Sequence, residues 1–293
     1  MPEIRVSHAE RMHLLHHIAS RWRYVGRNVA RREGRTQDNT ESEAEHVLTS
    51  FADGTIFGER TGTNTPDVLG LHGWGRTHTD LRSVLDGHDS ISLDLPGFGA
   101  SPPPDRCWTT EDYAAALDPI IDTMNRPIVI VAHSFGGRVA VHVAARRPAS
   151  VAGLVLCGVP LLHRHGRPSK PRFAFRLAKG LNQVGIFNDT KMDAVRDKYG
   201  SEDYRNSSGV MREVFVAAVN ESYEAPMAKV SCPVELVWGD RDTAAPPEIA
   251  VRSETLLADA HLTVVGDVDH FLPLTHPGPM REALDRRRQA ATR

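Results

Sequence analysis

The chain has few cysteines, no long apolar run and almost no net charge. Cys107, Cys157 and Cys232 are its only three cysteines in 293 residues, scattered and odd in number. They give neither a disulfide framework nor the paired spacing of a zinc site, so a reducing cytoplasm is the expected compartment. No stretch approaches the length of a membrane-crossing helix. Near the N-terminus, His8, Glu10, Arg11, His13, His16 and His17 interrupt what would be the apolar core of a secretory signal. A formal net charge of −2 supplies no global attraction for nucleic acid. The sequence has no Gly-rich dinucleotide fingerprint, and its 15 histidines show no metal-ligand spacing, so neither cofactor nor metal is expected.

What is present falls into three parts. Residues 1–44 form a basic extension in which Leu15, Ile18, Trp22, Val25 and Val29 line one helical face. Eight arginines stand against three glutamates in residues 1–35. A basic amphipathic helix of this kind suits a membrane surface, a partner protein or the chain's own domain, and composition leaves all three open. Peripheral membrane contact is therefore one expectation for this segment. Residues 34–44 read as a linker.

The main domain begins at Glu45 and takes in residues 45–158 and 231–293. Runs at 47–51 and 55–60 flank Asp53-Gly54, a hairpin signal. Short apolar runs at 68–71, 90–95, 128–131, 151–157, 233–238 and 262–265 read as strands. Helical segments at 81–85, 109–124, 138–146, 248–257 and 276–288 alternate with them. The alternation predicts an α/β fold, a mostly parallel twisted sheet with helices on both faces. Residues 159–230 break the rhythm with helical, basic sequence and read as a helical cap over the strand ends. The cap's Phe173, Phe175, Phe187, Tyr199, Tyr204 and Phe215 are assigned to internal packing.

Residues 127–137, Pro-Ile-Val-Ile-Val-Ala-His-Ser-Phe-Gly-Gly, organise the chemistry. A β-branched run leads into Ser134, and a helix follows at once. Such a turn needs small neighbours, here Ala132 and Gly136, because strand and helix backbones nearly touch. It lifts the hydroxyl clear of the sheet and aims a helix N-terminus at whatever the serine attacks. By itself the pattern fits a serine N-cap equally well.

A serine nucleophile needs a base, usually histidine, oriented by a carboxylate. His270 follows the last expected strand, and catalytic groups of open α/β sheets collect at carboxyl strand ends. His133 adjoins the serine, but neighbours on a tight turn point apart, and His261 begins a strand at the wrong edge. Asp240 and Asp242 both follow the strand at 234–238. Asp242, with the longer loop bounded by Pro246, is the expected acid. Asp240 reads as a turn former or as the partner of Arg241. The order Ser134, Asp242, His270 is one of the known orders for this triad. Oxyanion donors are expected from the Phe135 N–H and, in the glycine-flanked loop after residues 68–71, from the Trp74 N–H. The Trp74 ring is expected to wall the pocket.

The segments His72-Gly-Trp-Gly75, Asp94-Leu-Pro-Gly-Phe-Gly-Ala-Ser101, His133-Ser-Phe-Gly-Gly137, Trp238-Gly-Asp-Arg-Asp242 and Asp269-His-Phe271 together resemble the α/β-hydrolase superfamily. All five occur in that family's order, over residues 45–290. The resemblance implies the α/β-hydrolase fold with a helical cap and a serine hydrolase with the triad as assigned. Its glycine-x-x-aspartate pattern again favours Asp242. Two positions depart from the pattern, Ala132 for the usual elbow glycine and Asp269 where glycine often precedes the histidine. Ser134 sets the chain apart from the similar haloalkane dehalogenases and epoxide hydrolases, which carry an aspartate there. Carbon–carbon bond hydrolases of the family carry proline-glycine after the oxyanion loop, where this chain has Arg76-Thr77. The expected function is hydrolysis of a small or medium carboxylic ester through an acyl-enzyme on Ser134. The alternatives are carbon–carbon bond hydrolysis and the binding of a small ligand without turnover.

Overall fold

The structure, a computed structural model, describes residues 47–163 and 202–291. The chain divides into two compact units, Met1–Ala44 and Glu45–Arg293. All described residues belong to the second. The basic amphipathic helix expected near residues 15–29 and the segment 164–201 of the expected cap lie outside the described residues.

Eight strands form one sheet: β1 (Leu48–Phe51), β2 (Ile56–Thr61), β3 (Val68–Leu71), β4 (Ser90–Asp94), β5 (Ile128–His133), β6 (Val151–Cys157), β7 (Val234–Gly239) and β8 (Ala260–Val265). Their spatial order is β1-β2-β4-β3-β5-β6-β7-β8. The β1–β2 and β2–β4 pairings are antiparallel and all the others are parallel. The expected mostly parallel sheet is present, opened by the hairpin at Asp53-Gly54, where Gly54 takes φ +83°.

The inner strands β3, β5 and β6 are almost wholly apolar because both faces of the sheet are covered. In β5, Ile128, Ile130 and Ala132 face one core with Leu71, Leu154, Leu236 and Trp238. Val129 and Val131 face the other with Val155, Val237, Leu85, Leu272 and Leu284. A run that looks uniform in sequence thus alternates in space, with the period of two that a strand imposes.

Helices α1 (Arg82–Leu85), α2 (Thr110–Ala116), α3 (Asp118–Thr123) and α4 (Phe135–Arg146) belong to the first half of the unit. Thr109 caps α2 in a reciprocal capping box with Asp112. The single helix expected over 109–124 is in fact two, broken at Leu117. Pro119 has no N–H to continue the ladder, and the Ile120 N–H turns to the Leu117 carbonyl in a tighter turn.

Between β6 and β7 lie α5 (Glu202–Asn206), α6 (Gly209–Asn220) and α7 (Glu224–Met227), followed by α8 (Pro247–Leu256), α9 (Leu272–Thr275) and α10 (Gly278–Ala291). Arginines fasten α10 to the sheet. Arg288 grips Asp67 through two bonds of 3.0 and 2.9 Å, and Arg286 and Arg287 hold the buried Glu235 at 2.8 and 3.0 Å. Among the described residues, no helix is long and apolar enough to cross a membrane. The sheet changes direction of construction at β3, with β4 to one side and β5 to the other. The crevice beyond the carboxyl ends of these strands is where such sheets bind ligands.

Candidate active site

Ser134 stands between β5 and α4 with φ +48° and ψ −111°. A non-glycine residue in such a conformation stores on the order of 1–3 kcal/mol, held in place by the surrounding packing. That packing is close. A Cβ on Gly136 would overlap the Leu71 carbonyl oxygen, and one on Gly137 would overlap the Val159 side chain. The Gly136 N–H bonds to the His72 carbonyl at 3.0 Å, and the Ser134 N–H to that of Cys157 at 2.9 Å. Ser134 occupies the N-cap position of α4, yet its side chain caps nothing. The hydroxyl instead lies 3.0 Å from Nε2 of His270. Ala132, the departure from the family's glycine, sits inside β5 paired with Leu71 and Leu156. Its φ is negative, so no glycine is required there.

His270 follows β8, and its Nδ1–H donates to Oδ2 of Asp242 at 2.7 Å. The Asp242 side chain is fully buried. Its other oxygen accepts the Ala244 and Ala245 N–H groups at 2.9 and 2.7 Å, which fixes the carboxylate plane. Trp238, wholly buried in β7, donates its indole N–H to the Ala245 carbonyl at 2.7 Å and so closes the loop that carries Asp242. Gly158, at φ +57°, passes so near the ion pair that a Cβ would stand 3.0 Å from His270 Nδ1 and 3.1 Å from Asp242 Oδ2. Burial first, and then the Asp242 charge, push the neighbouring Cys157 thiol well up from its ordinary value.

Ser134, Asp242 and His270 are thus brought together, and the other candidates are accounted for. His261 lies on β8, 3.4 Å from Glu235. Asp240 accepts the Val268 N–H, tying the β7 loop to the β8 loop. Of the two readings of Asp240, it is the loop residue, and Arg241 pairs instead with Asp267. Asp269 turns to its own backbone and accepts the Phe271 N–H at 2.9 Å.

The loop after β3 runs against the serine, since a Cβ on Gly73 would lie 3.4 Å from Ser134 Cβ. Trp74 follows on this loop. Phe135 is the first residue of α4, where N–H groups have no partner within the helix. The Trp74 ring meets Phe98, Phe135 and Phe215 at centroid distances of 4.9, 5.1 and 5.0 Å. Phe215 belongs to α6, so this aromatic, expected to pack internally, packs on the loop after β3.

Sequence reasoning missed three supports. His72 is buried, donates from Nδ1 to the Gly73 carbonyl at 2.6 Å and accepts the Leu95 N–H at Nε2. Burial lowers its pKa to about 4. His133 donates from Nε2 to the His270 carbonyl, and burial takes its pKa down to about 3. Ser207, in the loop before α6, accepts the Trp74 indole N–H at 3.3 Å. The two histidines lay inside quoted motifs, but nothing local reveals their partners. Ser207 carried no signal.

Residues 68–283 match the pattern of the Alpha/beta hydrolase family, and the chain belongs to that family. Among curated relatives, it is 26% identical over 233 residues to an uncharacterized hydrolase, YugF, of Bacillus subtilis, covering 71% of this chain and 84% of the relative. It is likewise 26% identical over 227 residues to the pimeloyl-[acyl-carrier protein] methyl ester esterase of Neisseria meningitidis serogroup B, covering 70% and 86%. The fold is shared with a thermophilic esterase from Thermogutta terrifontis, with a TM-score of 0.59 and 23% identity, covering 85% of this chain and 99% of that one.

Proposed function

We propose that this member of the family is a serine carboxylesterase acting on small or medium esters. The observation that carries the reading is the relay from Ser134 Oγ to His270 Nε2 at 3.0 Å and from His270 Nδ1 to the buried Asp242 at 2.7 Å. The names of the esterase relatives point the same way. His270 accepts the Ser134 proton as the oxygen attacks the ester carbonyl, and Asp242 stabilises the resulting imidazolium. The N–H groups of Trp74 and Phe135 bind the oxyanion of the tetrahedral intermediate. His270 then protonates the departing alcohol, leaving an acyl group on Ser134. Water, activated by the same imidazole, releases the acid and restores the serine. Residues 45–158 and 231–293 form the hydrolase core in this reading, with residues 159–230 as cap. Its three free cysteines suit a reducing cytoplasm.

The test is intact-mass detection of a fluorophosphonate adduct on the wild type and on Ser134→Ala. One adduct on the wild type and none on the variant is the expected result. Full ester turnover by Ser134→Ala would overturn the reading.

A further inference from the structure

Among the described residues, the cap meets the Trp74 side chain of the oxyanion loop through a polar contact and an apolar one. The polar one has a fixed direction. Ser207 Oγ–H donates to the Asp203 carbonyl at 2.6 Å, at the end of α5, and this commits its only proton. Its lone pair is then free to accept the Trp74 indole N–H at 3.3 Å. An indole can only donate, so the two groups match in one orientation. Ser207 is itself buried, its N–H bonds to the same Asp203 carbonyl, and its carbonyl accepts Arg212 Nε at 2.8 Å. The apolar contact is Phe215, which lies against the indole 5.0 Å away while Phe98 and Phe135 hold it from the core.

We infer that the cap residues Ser207 and Phe215 position the Trp74 backbone, so that the oxyanion site is completed by the cap and not by the core alone. The inference rests on the esterase reading only in assigning Trp74 N–H to the oxyanion. An oxyanion donor acts by being held at the right place before charge develops, and a backbone amide has no freedom apart from its residue. Gly73 and Gly75 flank Trp74, and Gly75 takes φ +66°. The carbonyl of the Gly73–Trp74 peptide is held from the core by His72 Nδ1–H at 2.6 Å and the Arg76 N–H at 3.2 Å, and the anchored ring adds a second restraint from the cap side. Ser207 is a positioning residue and touches no substrate.

The experiment uses the full chain labelled with [¹⁵N]tryptophan. The four tryptophans give four indole and four backbone signals, and Trp74→Phe assigns the pair from Trp74. Ser207→Ala is expected to shift both the Trp74 indole and the Trp74 backbone amide, and Ser207→Thr is expected to restore both. With p-nitrophenyl acetate, Ser207→Ala should lower kcat about tenfold at nearly unchanged KM, short of the roughly 10²–10³-fold cost of losing an oxyanion donor outright. Ser207→Thr should recover most of that loss. A backbone amide of Trp74 that stays put in Ser207→Ala overturns the inference, whether or not the wild type hydrolyses esters. A rise in KM without a fall in kcat overturns it as well. Absence of Ser134 labelling in the wild type counts against the esterase reading and leaves the resonance comparison to decide the cap's role.

Discussion

The imidazole of His133 donates from Nε2 to the backbone carbonyl of His270 at 2.8 Å, with the two rings 4.7 Å apart between centroids. The residue before Ser134 thus holds the backbone of the histidine proposed as its base. His133 Nδ1 also faces Gly73, where a Cβ would come within 2.8 Å. One buried ring, carried on β5, therefore contacts both the loop after β3 and the loop after β8. His133→Phe keeps a ring but leaves the His270 carbonyl without its donor, a cost of about 1–3 kcal/mol in stability. We expect a lower urea midpoint and a fall in kcat of about tenfold from a misplaced base, consistent with the sensitivity of catalysis to small displacements.

The same burial gives a pH dependence. His72 and His133 titrate near 4 and 3 in the folded protein and near 6.5 when unfolded, because burial disfavours the charged ring. Their folded pKa values are lowered, so below about pH 6.5 the unfolded chain binds protons that the folded chain does not. Stability should therefore be full above pH 6.5 and fall as the pH drops toward 4, by up to about 1.4 kcal/mol per pH unit for each histidine. Urea midpoints at pH 7.5, 6 and 5 measure the slope. The slope should be shallower in His133→Phe.

Asp240 and Asp242 should separate in function. Asp242→Asn removes the acceptor that fixes the His270 tautomer and should reduce kcat by about 10³–10⁴-fold. Asp240→Asn keeps an oxygen for the Val268 N–H and should stay within about threefold, as expected for a residue holding a loop. Steady-state rates on one p-nitrophenyl ester compare the two.

Backbone strain at the serine predicts an opposition between stability and activity. Ser134→Gly removes a Cβ from a residue at φ +48° and should raise the melting temperature relative to Ser134→Ala, corresponding to about 1 kcal/mol. Neither variant should turn over ester. Differential scanning calorimetry of the pair reads the strain directly.

Gly158→Ala tests the space beside the ion pair. At φ +57°, and 3.0 Å from the His270 ring, the new methyl group meets both backbone strain and the imidazole. The expected cost is about 1 kcal/mol in stability, with a fall in kcat of tenfold or more as the ring is displaced. Chemical denaturation and kcat, measured on the same preparation, separate the two effects.

Much of the fold was legible because the inner strands are short, β-branched and bounded by turn residues. Val68–Leu71 and Val151–Cys157 were placed to the residue. The split of the helix at Leu117 was not foreseen, although Pro119 was its visible cause. The proposed triad of Ser134, Asp242 and His270 could be singled out by position after strands, since parallel strands of one sheet deliver their carboxyl ends to one edge. Of the two readings of Asp240, the turn former holds and the partner of Arg241 does not, because Asp267, remote in sequence, meets Arg241 across the β7–β8 edge.

By itself, then, the sequence determined the strands, their parallel arrangement and the strand ends that carry Ser134, Asp242 and His270, because periodicity and turn chemistry are local. Tertiary structure alone decided that His133 supports the His270 backbone, that Ser207, in the loop before α6, accepts from Trp74, and that Asp242 takes two backbone amides behind His270. Those choices depend on where separate segments meet. A hydrogen bond between residues 133 and 270 leaves no trace in the residues beside either one.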